Sequence, residues 1–294
     1  MNSGFEYREQ LGPGAAGQTV EVYLSRRYRH SSGPVWRARI AAGEVFLGEA
    51  VAAAGDVLRP GQSLVWRRPP WEEPPVPLAL AVLHRDDHLL AVAKPRGLPS
   101  VPSGGYLTHT LLHLVQRFAP EATPLHRLGR GTSGLVLFAR TPEARRAASA
   151  AWREGRVEKI YRALVSGLPE PALFTVDAPI GLVPHPRLGE VHAAASHGKK
   201  ASSRVRVLAA AAEGALVEIR IETGRPHQIR IHMAAAGHPL VGDPLYAAGG
   251  TPLPEPGLPG DPGYRLHAHR LGLDHPVTGR RLELECAPPP ALRG

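Results

Sequence analysis

The sequence predicts an α+β fold, in which a mixed, mostly antiparallel central sheet with flanking helices and loops follows a small α+β domain. Three observations support this prediction. From about residue 78 onward, short apolar segments of strand character alternate with turns. The clearest helical pattern in this part spans residues 142–155. A proline-rich stretch separates it from an N-terminal segment with helix and strand patterns of its own.

The first 66 residues predict a small separate domain. Val20, Tyr23 and Leu24 recur at helical spacing, and a second short helix contains Trp36 and Ile40. A short strand between glycine turns and then a closing turn with a strand follow, at residues 43–48 and 58–66.

This order of two helices and a tiny hairpin resembles the S4 RNA-binding domain. Arg26, Arg27 and Arg37 belong to the two predicted helices, and the resemblance implies that they contact RNA. The alternative is a small α+β cap whose arginines are only solvated. The order of elements matches S4 over most of residues 1–66, which favours the RNA-binding interpretation.

Residues 67–77 predict a linker. Five prolines in eleven residues fix φ, remove backbone donors and favour an extended, polyproline-like conformation. Such a segment is stiff enough to hold two domains within a limited range of separations.

Residues 78–294 form the larger predicted domain. No repeat of 20 to 50 residues is visible, which argues against a solenoid. The Pro- and Gly-rich residues 247–263 predict a long surface loop. Strands are predicted over residues 89–93, 135–139, 160–165, 203–208, 215–221 and 281–285.

The charge favours a polyanionic partner. The chain carries 35 Lys and Arg against 26 Asp and Glu, a formal net charge of +9. Only four of the basic residues are lysine, and the planar guanidinium of arginine suits phosphates and base edges better than an ammonium does. RNA or DNA is the common partner of such a chain. The alternative is codon bias, because Ala, Gly, Pro and Arg are all abundant.

Several classes of protein are disfavoured. The single cysteine, Cys286, permits no intramolecular disulfide and fits a reducing compartment, so we expect a cytoplasmic protein. No run of 18 apolar residues or signal-peptide pattern occurs, so no membrane association is expected. The common zinc patterns are missing, and no GxGxxG or Walker motif indicates a nucleotide cofactor.

Three stretches combine glycine turns with Arg, Lys, Thr, Ser and His, next to predicted strands. They are Lys-Pro-Arg-Gly-Leu at 94–98, His-Arg-Leu-Gly-Arg-Gly-Thr-Ser-Gly-Leu at 126–135, and Thr-Gly-Arg-Pro-His-Gln-Ile-Arg-Ile-His at 223–232. The third is followed by Gly-His-Pro-Leu-Val-Gly-Asp-Pro-Leu-Tyr at 237–246. Loops of this kind at strand ends are usual places for anion and nucleotide sites.

Together these motifs resemble those of the RluA-type RNA pseudouridine synthases. Lys159-Ile160-Tyr161 matches the family's K-x-Y, and Leu266-His267-Ala268 its L-H-A. The match runs in order from about residue 82 to 288. The resemblance implies the pseudouridine synthase fold and isomerisation of uridine to pseudouridine in structured ribosomal or transfer RNA. Substrate and product are isomers, so no cofactor and no metal are expected. The protein is expected to be a monomer.

The resemblance also implies site residues. The family's nucleophilic aspartate corresponds to position 129, its stacking tyrosine to Tyr161, and the arginine that pairs with the aspartate to Arg230. The alternatives are a core aromatic on a strand for Tyr161 and a surface strand arginine for Arg230. The remaining predicted RNA contacts are Lys94, His126, Arg127, Arg130, Thr132, Arg225, His227 and Gln228.

Position 129 departs from the family, because it is glycine and cannot act as a nucleophile. A buried Arg230 still requires a counter-charge, for which Asp243 and Glu222 are the candidates. Two hypotheses stay open. The chain is a working synthase that uses another carboxylate or an unusual route, or it is a catalytically inactive RNA-binding protein on the same scaffold. Retention of Tyr161 and Arg230 favours the working enzyme.

Overall fold

The computed structural model describes residues 1–28, 30–258 and 260–293. The chain divides into two compact units, Met1–Glu73 and Pro74–Gly294. Each unit contains helices and strands, and the predicted α+β class is confirmed.

The first unit is a four-stranded sheet with two helices. Its strands lie in the order β1-β4-β2-β3, and every pairing is antiparallel. Trp36, Ile40 and Leu58 belong to the buried apolar cluster of this unit. The elements are β1 (Phe5–Gln10), α1 (Val20–Arg27), α2 (Gly33–Ala41), β2 (Val45–Leu47), β3 (Ala50–Val51) and β4 (Ser63–Arg68).

The predicted helices and strands of the first unit are present, but two details differ. Strand β1 was not predicted, because five of its six residues are exposed and the alternation of Phe5 and Tyr7 with polar residues is too short to identify a strand. Strand β4 ends at Arg68, two residues into the predicted linker. The division between the units lies within that proline-rich segment, and residues 69–80 contain no helix or strand.

The second unit contains the other twelve strands and three helices found in the described residues. They are β5 (Ala81–Arg85), β6 (Leu89–Lys94), α3 (Leu111–Gln116), β7 (Thr123–Pro124), β8 (Ser133–Ala139), α4 (Pro142–Arg153), β9 (Glu158–Val165), β10 (Leu173–Val176), β11 (Ile180–His185), β12 (Gly189–Ala194), β13 (Ser203–Ala211), β14 (Gly214–Ile221), α5 (Gln228–Ala235), β15 (Leu266–Asp274) and β16 (Arg281–Glu285).

Ten of these strands form one long sheet. Its main path runs β10-β13-β14-β9-β15-β8-β6-β5, with β7 paired to β8 and β16 paired to β15. All of its pairings are antiparallel except that of β8 with β15, so the prediction of a mostly antiparallel sheet is confirmed. Strands β11 and β12 form a separate hairpin.

Alternate residues of β6 and β8 face two separate apolar clusters. Leu135 and Leu137 pack in the cluster that α4 covers, whereas Val136 and Phe138 pack in the cluster around α3. This alternation follows from the two-residue period of a strand, and burial on both faces explains the continuous apolar sequence. Leu128 and Tyr161 belong to the α3 side, so the site described below lies on that face.

The apolar runs predicted their strands well, whereas two elements that position the site were missed. Helix α5 reads Gln-Ile-Arg-Ile-His at residues 228–232, a polar and apolar alternation with the period of a strand, and its polar residues are buried. Strand β15 interrupts its apolar residues with histidines and was seen only as a motif. The described part of residues 247–263 contains no helix or strand, in agreement with the predicted loop. No helix in the described ranges is long and apolar enough to cross a membrane.

Gly134 allows β8 and β15 to approach closely. Its φ is 114°, and a Cβ atom there would overlap the backbone of Ala268.

We expect Gly134→Ala to lower the free energy of unfolding by about 3 kcal/mol, measured by denaturant titration, because neither strand can move aside. Gly224→Ala is the control, since a Cβ there meets no atom within 4 Å. Similar stabilities of the two variants would contradict this account.

Candidate active site

The centre of the site is a buried ion pair between Arg230 of α5 and Asp243. Nε and Nη2 of Arg230 each donate a hydrogen bond of 2.7 Å to the carboxylate. The two side chains are only 2% and 1% exposed. Asp243 also accepts hydrogen bonds from the backbone N–H groups of Leu245 and Tyr246. A bidentate arginine–carboxylate pair of this kind fixes the plane of the guanidinium as well as its position.

Asp243 keeps Arg230 charged. Burial lowers the pKa of Arg230, but the hydrogen bonds and negative charge of Asp243 outweigh burial and hold the pKa above its ordinary value. Of the two carboxylates considered as partners, Asp243 is therefore the one used. Glu222 instead pairs with Arg204 on the surface, at 3.1 Å.

A tight turn from Gly129 to Thr132 leads into β8. The N–H of Thr132 donates to the carbonyl of Gly129 at 3.0 Å, and Gly129 is exposed. Below the turn lies Tyr264, whose ring stacks over the Arg230 guanidinium at 4.3 Å. The hydroxyl groups of Tyr264 and Thr132 are 3.2 Å apart. Tyr264 thus connects the turn to the buried ion pair.

Tyr161 lies on β9. It pairs in register with Ala268 of β15, which is itself paired with Gly134 at the start of β8. Its side chain packs against the cluster that contains Leu128 and against the one that contains Tyr264. Burial raises the pKa of the Tyr161 phenol to about 12, so the group is protonated at neutral pH.

His227 immediately precedes α5 and has a left-handed backbone conformation, with a φ of 55°. Burial, and then the positive charge of Arg230, lower the pKa of its imidazole to about 3, so the ring is neutral. Its Nδ1 lies 2.9 Å from the hydroxyl of Tyr246. That hydroxyl donates its one proton to the carbonyl of His192, so Nδ1 must be the donor and Nε2 is left as an acceptor.

The arrangement offers cations, a neutral imidazole and a protonated phenol, with its carboxylates already paired. Asp243 forms an ion pair with Arg230, and Asp261 forms one with Arg130, in which Nη2 of Arg130 lies 2.9 Å from Oδ1 of Asp261. In the ranges that the structure covers, no cluster of three His, Cys, Asp or Glu side chains suits a metal ion. Donors and aromatic rings at strand ends are suited to binding a nucleotide.

Comparison with known proteins decides the family. Residues 88–235 match the family model described as RNA pseudouridylate synthase. The chain is 44% identical over 273 residues to an uncharacterized RNA pseudouridine synthase of Synechocystis sp., covering 92% of this chain and 94% of that protein. The chain belongs to the RNA pseudouridylate synthase family. The resemblance inferred from the motifs is confirmed.

Two further relatives support this assignment. RNA pseudouridine synthase 5 of Arabidopsis thaliana is 36% identical over 351 aligned residues, covering the whole of this chain and 95% of the relative. The dual-specificity RNA pseudouridine synthase RluA of Salmonella typhi is 37% identical over 212 residues, covering 71% and 93%. The chain is therefore an enzyme of the isomerase class and of the RluA type.

The fold agrees with this assignment. The structure of human RNA pseudouridylate synthase domain containing 1 is similar, with a TM-score of 0.56 and 26% identity. The similarity covers 76% of this chain and 89% of the human one.

Several residues that the family resemblance suggested as RNA contacts lie inside the protein instead. Lys94 is 1% exposed, and its ammonium donates to the carbonyls of Pro95, Leu98 and Arg130. The amide of Gln228 is fully used by neighbouring donors and acceptors. Thr132 is also buried. The expectation that these three residues bind RNA does not fit their burial, and they instead support the loops of the synthase domain.

His126 and Arg130 also have internal partners. The Nε2 of His126 accepts the backbone N–H of Leu137, and its ring stacks on Trp152. Burial lowers the pKa of His126 to about 4. Arg130 donates to Asp261 and to the carbonyl of Gly260, and so fastens the loop before β15 to the Gly129 turn.

The other arginines of the predicted set lie at or near the surface, and their RNA contacts stay a prediction. Arg127 is exposed and close enough to His227 for its charge to affect the pKa of that imidazole. Arg225 is half-buried and donates to the carbonyl of Lys200. In the first unit, Arg26, Arg27 and Arg37 are all exposed on the helices, with Arg27 and Arg37 paired to Glu9 and Glu21.

No motif or pattern in the sequence indicated Tyr264. It follows a Pro- and Gly-rich loop and lies 135 positions after Gly129, so only the fold brings the two together. The one signal near it is the L-H-A motif that begins two residues later.

The buried ion pair leads to a stability prediction. Asp243→Asn leaves the Arg230 charge buried without a counter-charge, so we expect the free energy of unfolding to fall by about 3–5 kcal/mol in denaturant titrations. The double substitution Arg230→Met with Asp243→Leu should recover most of that loss, since it removes both charges.

The exposed pair of Arg204 and Glu222 provides the matched control. Its side chains are 64% and 47% exposed, so Glu222→Gln should change the free energy of unfolding by less than about 1 kcal/mol. If Asp243→Asn were as mild as this control, Arg230 would not depend on Asp243.

Proposed function

We propose that this synthase isomerises uridine to pseudouridine in structured RNA, of the ribosomal or transfer class, although position 129 is glycine. The observation that carries the proposal is the state of Arg230. It is charged, buried and held in a fixed plane beside the Gly129 turn, at the cost of burying Asp243 as well. A scaffold used only for binding RNA has no need of such a pair beneath its binding face.

The geometry supports a role for three groups of the site. A uridine must leave its stack to be reached, and Arg127 on the open side of the turn is suited to its phosphates. Tyr161 supplies an aromatic ring and a protonated hydroxyl at the start of β8 and β15. The Nε2 of His227 is an acceptor for a ribose hydroxyl or the imide N–H of uracil.

For the first unit we propose an S4-like RNA-binding role. Two helices precede the central strands, and the arginines on those helices are exposed. The basic surplus of the whole chain is nevertheless small in this unit, whose residues 1–73 contain nine arginines against eight carboxylates. Its contribution therefore depends on where its arginines lie and little on its net charge.

The second candidate is a catalytically inactive RNA-binding protein on the same scaffold. Gly129 is the observation that favours it, because no side chain there can attack the base or the sugar. The two candidates differ in one measurable property, namely whether the uridine C5–H bond is broken.

Release of tritium from total RNA that carries C5-labelled uridine measures that property. Formation of the bond from C5 to C1′ displaces the hydrogen on C5, so a working synthase releases tritium to water. The RNA should come from cells that lack the gene, so that the target uridines are unmodified. We expect release with the wild-type chain and none after Arg230→Met with Asp243→Leu. A wild-type chain that releases no tritium from this RNA would support the inactive alternative.

The RNA-binding role of the first unit can be tested with matched arginine pairs. Arg26→Gln with Arg27→Gln should weaken RNA binding and reduce the slope of log affinity against log salt by about 1.5, as expected for two lost phosphate contacts. Arg8→Gln with Arg59→Gln removes two exposed arginines outside the helices and is the control. Equal effects of the two pairs would show that this unit contributes only diffuse charge.

A further inference from the structure

Tyr264 occupies the space into which a side chain at position 129 would extend. A Cβ atom on Gly129 would lie 2.9 Å from the Tyr264 hydroxyl oxygen. Apart from its chain neighbours, the only other described heavy atom within 4 Å is the Thr132 hydroxyl oxygen, at 3.7 Å. Real Cβ atoms do not come this close to another heavy atom, so a side chain at position 129 requires the Tyr264 hydroxyl or the turn to shift.

Backbone conformation does not explain the glycine. Gly129 is not among the residues with positive φ, so an L-residue can adopt its conformation. Among the described residues other than its chain neighbours, the Tyr264 hydroxyl is the group that would have to shift to admit a Cβ at this position.

Gly131 adapts to the same ring from another direction. A Cβ there would lie 2.9 Å from two ring carbons of Tyr264, Cε1 and Cζ, and 3.1 Å from Cα of Pro262. The two glycines of the turn therefore contact two different parts of the Tyr264 side chain. Gly129 accommodates its hydroxyl, and Gly131 accommodates its ring edge.

The ring has little freedom to move away. Tyr264 is 2% exposed and stacks on Arg230. The preceding Gly263 packs so closely against Gly242 that neither position has room for a Cβ. Arg130 holds the same loop through Asp261 and Gly260.

From these contacts we infer that Tyr264 is a positioning residue of the isomerisation, in place of an acidic side chain at position 129. Its ring fixes one face of the Arg230 guanidinium, while Asp243 fixes two of the nitrogens. Its hydroxyl supports the Gly129 turn through Thr132. The inference rests on the proposed function, but its packing component can be measured without any substrate.

A set of variants separates the hydroxyl from the ring. They are Gly129→Ala, Gly131→Ala and Tyr264→Phe, with each glycine variant also combined with Tyr264→Phe. Gly129→Ala should lower the thermal midpoint, and Tyr264→Phe should relieve that loss because the clashing oxygen is gone. Gly131→Ala should lower the midpoint too, but Tyr264→Phe should give no relief, because Cε1 and Cζ remain.

Kinetics then test the positioning role. On the C5-tritiated total RNA, Tyr264→Phe should reduce kcat by about 3- to 10-fold, the effect of one lost hydrogen bond, with KM for the RNA unchanged. Tyr264→Phe should keep the thermal midpoint within a few degrees of wild type, so a loss of kcat would not reflect unfolding.

Two results would overturn the inference. One is that Tyr264→Phe relieves both glycine variants or neither, since the hydroxyl would then not occupy the space at position 129. The other is that Tyr264→Phe leaves kcat unchanged on an active wild-type background. A different outcome is that the wild type releases no tritium, while Tyr264→Phe still restores the thermal midpoint of Gly129→Ala and not that of Gly131→Ala. That result refutes the proposed function and the positioning role. The packing of Tyr264 against position 129 would still hold.

Discussion

The buried pair of Arg230 and Asp243 is the interaction on which the rest of the site depends. A guanidinium so far from water is tolerable only with a fixed counter-charge, and Asp243 supplies it from a separate segment of the chain. The same carboxylate accepts from the N–H groups of Leu245 and Tyr246 and thereby fixes that segment. Tyr246 in turn determines which nitrogen of His227 carries the proton. One carboxylate thus sets the position of a cation, an imidazole and a turn.

Much of the fold was accessible from the sequence, because its central strands are buried on both faces. Strands such as β6 and β8 are almost continuously apolar, and such runs are recognisable in the sequence. Helix α5 escaped prediction because its buried polar residues Gln228, Arg230 and His232 alternate with apolar ones, so the sequence shows no helical period. Burial makes a strand easy to recognise in sequence and a short helix difficult.

The site was predictable in kind but not in detail. The cost of a buried cation required an acid near Arg230, yet only the fold distinguishes Asp243 from Glu222. In the same way, a motif cannot show whether a donor faces the ligand or supports the loop. Lys94 and Gln228 carry the groups that RNA would attract, but backbone and side-chain partners inside the protein already use them. Direction of the side chain is a tertiary property, and the sequence pattern does not contain it.

The position of β15 has a consequence for the biosynthesis of the enzyme. This strand begins at Leu266 and lies in the interior of the large sheet, between β9 and β8, which precede it by about a hundred residues. The ribosome has therefore passed residue 266 before the two halves of the sheet can join. The first unit closes its own sheet with β4 at Arg68 and can fold early in translation. A nascent chain therefore carries a finished N-terminal unit long before it carries a catalytic cleft.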